Sequence, residues 1–303
     1  MSSVFSGILV PALTPFKRDL SPDAGALLAH CRWLLEQGVD GLAVFGTTSE
    51  ANSLGVDERM SLLEHLVESD IPADKLMPGT GLCALTDTIR LTRHAVELGC
   101  GGVLMLPPFY YKAVTDDGLY ASYAEVVERV GSARLRIYLY HIPPVAQVGL
   151  SLGLIGRLLA AYPQSIAGLK DSSGDWSNTA AILHEYPQLA TFCGSEVFLL
   201  ETLRHGGAGS ITATANINPG QIRALYGAWR DAGADELQRS VTAVRRAYEP
   251  FATIPALKAV AAEFYGQPEW RAVRPPLRAL DDAAREQLRG ALAATGFRMG
   301  TGA

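Results

Sequence analysis

The chain has 303 residues, of which 48% are hydrophobic and 19% are charged, and this composition excludes an extensively disordered protein. The net charge of −5 argues against a nucleic-acid-binding protein, and the two basic pairs, at residues 17–18 and 245–246, are too short to form a patch. With no apolar run of about 18 residues and no signal-peptide pattern at its start, the chain is expected to be cytoplasmic and to have no membrane contact.

Eight short apolar runs predict buried β-strands. They cover residues 7–12, 41–45, 76–79, 102–106, 136–140, 166–170, 190–193 and 209–212. The runs are almost entirely apolar rather than alternating, which is typical of parallel strands covered by helices.

Segments with helical periodicity lie between these runs. In residues 22–37, for example, Leu27, Cys31 and Leu34 recur on one helical face. The same periodicity predicts helices over residues 56–68, 86–98, 118–130, 151–161 and 177–186. Strand, helix and strand therefore alternate as βαβ units, which bring the strands into parallel pairing.

The number of these units predicts an α/β fold of the closed (β/α)8 TIM barrel type. Eight units favour a barrel over an open doubly wound sheet, and no G-x-G-x-x-G follows a strand, which disfavours dinucleotide binding. After about residue 218 only helical patterns remain, over residues 221–232, 235–248, 255–264 and 281–294. We expect a barrel catalytic domain at residues 1–218 and a C-terminal helical region at residues 219–303, packed on the barrel.

The cysteines and histidines form no pattern typical of a cofactor site. Cys31, Cys83, Cys100 and Cys193 are widely spaced and are interpreted as reduced, buried thiols. The six histidines form no metal-binding motif. We therefore expect neither a metal nor another cofactor.

Catalytic residues of such barrels project from the carboxyl ends of the strands, and Lys170 ends an apolar strand. It is one of only five lysines in a chain with 21 arginines. Burial of a lysine favours the neutral amine, which is the nucleophile that Schiff-base chemistry requires. The alternative is a strand-terminal lysine that pairs with Asp171.

Three other segments supply candidates. Tyr140 ends the preceding strand, where its hydroxyl can exchange a proton with a carbonyl group. The alternative is a rim aromatic whose ring covers the barrel core. Residues 45–50 (Phe-Gly-Thr-Thr-Ser-Glu) form either an ordinary turn or a carboxylate cradle made by the amides and hydroxyls of Thr47 and Thr48. Residues 106–112 (Leu-Pro-Pro-Phe-Tyr-Tyr-Lys) predict an aromatic rim or a subunit interface.

These motifs together resemble the N-acetylneuraminate lyase / dihydrodipicolinate synthase family of class I aldolases and lyases. The resemblance covers nearly the whole chain, in order and spacing. Its motifs are Leu-Val-Pro-Ala-Leu-Thr-Pro-Phe at 9–16, Gly-Thr-Thr-x-Glu at 46–50, Pro-Pro-Phe-Tyr-Tyr at 107–111, Tyr-x-x-Pro at 140–143, Gly-Leu-Lys-Asp at 168–171, Gly-Gly-Ala-Gly-Ser-Ile-Thr-Ala-Thr-Ala-Asn at 206–216 and Ile-Pro-Ala-Leu-Lys at 254–258.

The resemblance implies a role for each matched residue. Lys170 would form an imine with the carbonyl carbon of pyruvate or another 2-keto acid, and Tyr140 would be the general acid/base. Thr47 would link Tyr140 to Tyr110, which in the family often comes from the neighbouring subunit. The backbone amides of Thr47 and Thr48 would hold the substrate carboxylate.

The resemblance also extends to the rest of the substrate pocket. Ile211 would line the pyruvate pocket, and Gly194 and Glu196 would bind substrate there. Ser172 is a further candidate, because residues 170–175 are rich in short polar groups that suit a hydroxylated 2-keto acid. Tyr111 is an alternative to Tyr110, because the loop that carries them is one residue longer than usual. His141 and Ser49 replace the asparagine and the glycine that are usual in the family.

Two departures from the family pattern concern the substrate. Members that make dihydrodipicolinate carry an arginine shortly after Tyr-x-x-Pro to hold a second carboxylate, whereas residues 144–148 contain none. An arginine fork is hard to replace at a carboxylate, so this activity is disfavoured. Sialic-acid lyases carry an acid pair after the glycine that matches Gly194 and a serine further on. Here residues 195–197 read Ser-Glu-Val and Ala213 stands in place of the serine, so Glu196 alone survives, which disfavours sialate as a substrate.

The leading prediction is a class I aldolase or lyase that forms a lysine Schiff base and acts on a 2-keto-3-deoxy sugar acid or a related 2-keto acid, with pyruvate and an aldehyde as its small-molecule partners. The alternatives are 4-hydroxy-tetrahydrodipicolinate synthase, a 2-keto acid dehydratase of the same family, and a non-catalytic ligand-binding barrel. The aromatic residues 109–111 predict a homotetramer, a dimer of dimers, because a symmetric partner would bury them.

Overall fold

The computed structural model of the protein describes residues 4–300. Seven strands form one parallel sheet: β1 (Gly7–Val10), β2 (Gly41–Leu42), β3 (Val103–Met105), β4 (Ile137–His141), β5 (Ile166–Asp171), β6 (Ala190–Cys193) and β7 (Gly209–Ile211). Their order in the sheet is β2-β1-β7-β6-β5-β4-β3, so β2 and β3 are its two end strands.

Residues 76–80 join the two end strands and close the sheet into a barrel. The N–H of Met77 donates to the carbonyl of Leu42 at 2.9 Å, and the N–H of Leu104 donates to the carbonyl of Pro78 at 3.0 Å. A regular strand was predicted here, but the segment forms only isolated bridges, because Pro78 has no N–H to continue the ladder. The predicted (β/α)8 barrel is thus confirmed, with seven regular strands and one irregular one.

α-Helices connect successive strands, and further ones follow β7. They are α1 (Ala24–Glu36), α2 (Val56–Glu68), α3 (Leu85–Glu97), α4 (Asp116–Val130), α5 (Pro143–Ala146), α6 (Leu152–Ala161), α7 (Trp176–Glu185), α8 (Leu199–Arg204), α9 (Pro219–Gly227), α10 (Ala234–Tyr248), α11 (Thr253–Tyr265) and α12 (Asp282–Ala294). All ten predicted helices are present; α5 and α8 were not predicted, because they are too short to show a helical period. None of the helices between residues 4 and 300 is long and apolar enough to cross a membrane.

Alternate strand residues pack into two separate cores. Ile8 and Ile137 lie in the core between the strands and the helices, whereas Leu9 and Tyr138 lie in the core inside the barrel. Gly168, beside Tyr138 on the next strand, leaves room for the tyrosine ring, since a Cβ there would lie 2.4 Å from the Cδ1 of Tyr138. Side chains therefore fill the barrel, and open space is left to its ends.

The C-terminal helices pack on the barrel in two ways. Ile222 of α9 belongs to the same core as Ile8 of β1. Leu257 of α11 and Leu288 of α12 instead form a second cluster, to which Leu13 contributes from the barrel side. The domain boundary at residue 218 remains a prediction. The expectation of four buried thiols is wrong for two of them: Cys31 and Cys193 are buried, but Cys83 is exposed and Cys100 is half-buried.

Candidate active site

Lys170 and Tyr140 lie side by side at the carboxyl ends of β5 and β4, where the strand register pairs them directly. The Nζ of Lys170 donates to the hydroxyl of Tyr140 at 3.3 Å and lies 4.4 Å from the centre of its ring. The two residues are only 4% and 3% exposed. An amine and a phenol at this separation can exchange a proton.

The loop after β2 brings Thr47 to the same place. Its Oγ1 lies 3.4 Å from the hydroxyl of Tyr140. The loop reverses sharply, with Phe45 and Glu50 in the left-handed region at φ values of 58° and 56°. A row of three functional groups results: the threonine hydroxyl, the phenol and the lysine amine.

The two residues that replace the family's usual asparagine and glycine both support loops at this rim. The Oγ of Ser49 accepts a hydrogen bond from the N–H of Gly46 at 3.3 Å, which braces the turn. The Nδ1 of His141 accepts one from the N–H of Leu150 at 2.9 Å. Burial lowers the pKa of His141, opposed by the negative charge of Asp171, and this favours the neutral ring, whose Nδ1 can accept that bond.

A cavity of about 370 Å³ opens at this end of the barrel, a volume that suits a small-molecule ligand. Six of the residues singled out in the sequence line it: Thr47, Thr48, Tyr140, Lys170, Ser172 and Gly194. At Gly194 a side chain has no room, since a Cβ would lie 2.0 Å from the Oγ of Ser172. Four segments that are remote in sequence therefore meet around one cavity.

Three other predicted site residues do not line this cavity. Ile211 is fully buried in the core inside the barrel. Glu196 is also fully buried and accepts a hydrogen bond from the Oγ1 of Thr212. Tyr110 is 73% exposed and packs edge-to-face on Tyr111. Within residues 4–300, no hydrogen bond connects it to Thr47 or Tyr140. The roles of these three residues remain predictions.

Arg245, on α10, lines the cavity although the sequence analysis gave it no role. In the sequence it was half of a short basic pair with Arg246. The structure separates the two, because the side chain of Arg245 is 19% exposed and that of Arg246 is 62% exposed. Consecutive residues on a helix point in different directions, and only the position of α10 over the barrel shows which one reaches the cavity.

Arg59, on α2, was not predicted from the sequence either. It lies behind the row formed by Thr47, Tyr140 and Lys170. It donates to the carbonyl of Gly79, while its Nε and Nη1 have no hydrogen-bond partner among the described residues. Burial lowers the pKa of Arg59 to about 10, so it is a cation at neutral pH. It shares a void of about 10 Å³, roughly the volume of one water, with Thr47 and Tyr140. This charge favours an anionic group, such as a carboxylate, at the neighbouring end of the cavity.

Comparisons with known proteins identify a family that matches the chain. The model of the dihydrodipicolinate synthetase family matches residues 4–295. An uncharacterized DapA-like lyase of Chloroflexus aurantiacus is 38% identical over 287 residues, which covers 94% of this chain and 95% of that protein. The similarity therefore extends over the barrel and the C-terminal helices alike.

Two solved structures show the same architecture. Dihydrodipicolinate synthase from Agrobacterium tumefaciens C58 superposes with a TM-score of 0.90 at 35% identity, over 96% of this chain and 99% of that one. YagE from Escherichia coli K12, solved in complex with pyruvate, superposes with a TM-score of 0.87 at 28% identity, over 97% and 99% of the two chains. YagE is provisionally named a 2-dehydro-3-deoxy-D-gluconate aldolase.

Proposed function

The chain belongs to the dihydrodipicolinate synthetase family and is a lyase of the aldolase type; on this premise, we propose that Lys170 forms a Schiff base with pyruvate or another 2-keto acid. The observation that carries the proposal is the row formed by Lys170, Tyr140 and Thr47 at the strand ends. A nearly buried lysine beside a phenol suits attack on a carbonyl followed by proton transfer. The pyruvate complex of YagE supports a small 2-keto acid as the ligand.

In the proposed mechanism, the amine of Lys170 attacks C2 of the keto acid, Tyr140 protonates the former carbonyl oxygen, and the resulting tyrosinate takes back the proton that the nitrogen loses. Tyr140 then protonates the departing hydroxyl group, so that water leaves the carbinolamine and the protonated imine forms, while the backbone amides of Thr47 and Thr48 hold the substrate carboxylate. In the cleavage direction Tyr140 removes the C4 hydroxyl proton, and the electron pair of the C3–C4 bond moves toward the imine as the aldehyde leaves. Protonation of the resulting enamine at C3 and hydrolysis then release pyruvate.

The proposed substrate is a 2-keto-3-deoxy sugar acid or a related 2-keto acid, with an aldehyde as the second partner. Hydroxyl groups of Ser172, Ser195 and Thr253 line the cavity beyond the lysine and can bond the hydroxyls of such a chain. The provisional name of YagE points to the same substrate class.

A second candidate is 4-hydroxy-tetrahydrodipicolinate synthase, which the name of the Agrobacterium structure favours. Against it, residues 144–148 lack the arginine that would hold a second carboxylate, and apolar Val145 lines the cavity in that stretch. A 2-keto acid dehydratase of the same family would use the same imine but would expel a hydroxyl group instead of an aldehyde. Product analysis separates the three: an aldehyde with pyruvate, 4-hydroxy-tetrahydrodipicolinate, or a dehydrated keto acid.

Borohydride treatment in the presence of pyruvate should attach a pyruvate-derived group to the peptide that carries Lys170, because reduction converts the imine to a stable secondary amine. Mass spectrometry of a protease digest measures the added mass. Lys258 is an internal control, since it is also buried but is paired with Glu50. An adduct on a different lysine, or none at all, contradicts the proposed mechanism.

The exposed aromatic loop supports a proposed homotetramer in which Tyr110 completes the site of a neighbouring subunit. Mixing Lys170→Ala subunits with Tyr110→Phe subunits should then restore part of the activity, because one site of each hybrid interface regains both residues. Native mass spectrometry shows whether hybrids form, and an aldol cleavage assay measures their activity. Hybrids without activity, or an active monomer, contradict a shared site.

A further inference from the structure

Arg245 is the second cation of the cavity. The charged residues that line it are Lys170, Asp171 and Arg245. Asp171 is already engaged, since its carboxylate accepts hydrogen bonds from the N–H of Ser173 at 2.8 Å, from Asn178 at 3.0 Å and from Thr179 at 2.6 Å. With Lys170 assigned to the keto carbon, Arg245 is the charge left for another part of the substrate.

The guanidinium of Arg245 is held on two of its three nitrogens. Its Nε donates to Glu249 at 3.2 Å, and its Nη1 donates to the hydroxyl of Tyr248 at 2.8 Å. Tyr248 is itself anchored by Thr214, with 2.6 Å between the hydroxyl oxygens. Within the described part of the chain, Nη2 makes no hydrogen bond. The group is thus fixed in place with one N–H edge unused, the condition for binding a ligand at little entropic cost.

Two carboxylates lie near this guanidinium, and neither occupies the unused edge. Glu249 is shared with Arg246, which approaches it more closely, at 2.6 Å. The negative charge of Glu196 acts on Arg245, but its carboxylate is fully buried, is bonded by Thr212 and does not line the cavity. Burial opposes the charged form of Arg245, but the nearby Tyr248, Glu196 and Glu249 outweigh it and raise the pKa of the arginine, which lines the cavity as a cation.

We propose that Arg245 binds an anionic group at the end of the substrate remote from the keto acid. This inference rests on the proposed function, and it narrows the substrate to a 2-keto acid, or an aldehyde partner, that ends in a second carboxylate or in a phosphate. The planar guanidinium suits the oxygens of either group. The cation comes from α10, whereas residues 144–148 contribute apolar Val145 to the cavity. A second anion would therefore be bound on a different side of the cavity from the one where dihydrodipicolinate-forming relatives carry their arginine.

A series of aldehydes offered with pyruvate tests the proposal. The series contains glyceraldehyde as the neutral member, succinic semialdehyde as the carboxylated member and glyceraldehyde 3-phosphate as the phosphorylated member. The wild-type enzyme should prefer one anionic member, and Arg245→Gln should lower the ratio of kcat/KM for that member over the neutral one by about 10- to 100-fold, mostly through KM. The preferred member identifies the anion.

Arg246→Gln is the matched control: it removes the adjacent, exposed arginine that shares Glu249, and it should leave that ratio unchanged. Arg245→Lys keeps the charge but loses the planar fork, so it should retain only part of the wild-type preference for the anionic aldehyde. An equal loss for neutral and anionic aldehydes after Arg245→Gln, or a wild-type enzyme without anionic preference, overturns the proposal. Borohydride trapping of pyruvate at Lys170 is measured on the same variants, so that a failure of the Schiff-base mechanism is detected separately.

Discussion

Tyr140→Phe should lower kcat about 10²–10⁴-fold, the range typical of a lost general acid/base, while leaving the fold unchanged. The substitution removes one oxygen, and that oxygen is within hydrogen-bonding distance of both Lys170 and Thr47. Without it, neither the carbinolamine nor the C4 hydroxyl of the substrate has a proton-transfer partner in the row. Steady-state kinetics with a cleavable 2-keto acid measures the loss, and the rate of borohydride labelling measures imine formation.

Tyr138→Phe provides the matched control for this prediction. Tyr138 lies two residues earlier on the same strand, and its hydroxyl accepts a hydrogen bond from the N–H of Phe5 at 2.8 Å inside the barrel. Removing it should leave kcat near the wild-type value and lower the free energy of unfolding by about 1–3 kcal/mol, because a buried N–H loses its acceptor. Near-normal turnover of Tyr140→Phe would show instead that Tyr140 is only a rim aromatic.

The adjacency of Lys170 and Tyr140 could be predicted from the sequence because it depends on local rules. Consecutive strands of a βαβ repeat pair in parallel, so two residues that end successive strands meet at the same rim. The register pairs Tyr140 with Lys170, as this rule requires. Thr47 follows the same logic, since it comes directly after another strand of the same barrel.

Arg245 and Arg59 could not be predicted in this way. Periodicity indicates which face of a helix is apolar, but it does not indicate where that helix docks, and docking depends on contacts between residues far apart in sequence. Arg59 occupies a buried position on α2 that the periodicity would assign to an apolar residue. Tyr110 shows the converse problem: its loop is in the expected place, but its side chain is exposed and, among residues 4–300, makes no hydrogen bond to Thr47 or Tyr140.

The loop that carries Thr47 is tied to the C-terminal region by a fully buried ion pair between Glu50 and Lys258. Lys258 donates to Glu50 and, at 2.7 Å, to the carbonyl of Ala272. The second oxygen of Glu50 accepts the N–H of Arg274 at 3.1 Å. Burial lowers the pKa of Lys258 to about 8, opposed by the charge of Glu50, so Lys258 is predominantly a cation at neutral pH.

Lys258→Met should lower the free energy of unfolding by about 3–5 kcal/mol, because it leaves the carboxylate of Glu50 buried without its counter-ion. Since Glu50 holds the turn that presents Thr47 and Thr48, the KM for the keto acid should rise as well. Urea denaturation measures the first effect and steady-state kinetics the second. Arg129→Met is the control, because its pair with Glu125 is exposed and should contribute less than about 1 kcal/mol.

The double variant Glu50→Gln/Lys258→Met separates the charge penalty from the loss of packing. It removes both ions, so the unpaired buried charge disappears and the protein should be more stable than Lys258→Met alone. If the double variant is instead less stable than Lys258→Met by the same free energy of unfolding that Glu50→Gln costs alone, the two substitutions are additive and the side chains act independently. The ion pair would then not be what connects the Thr47 loop to α11.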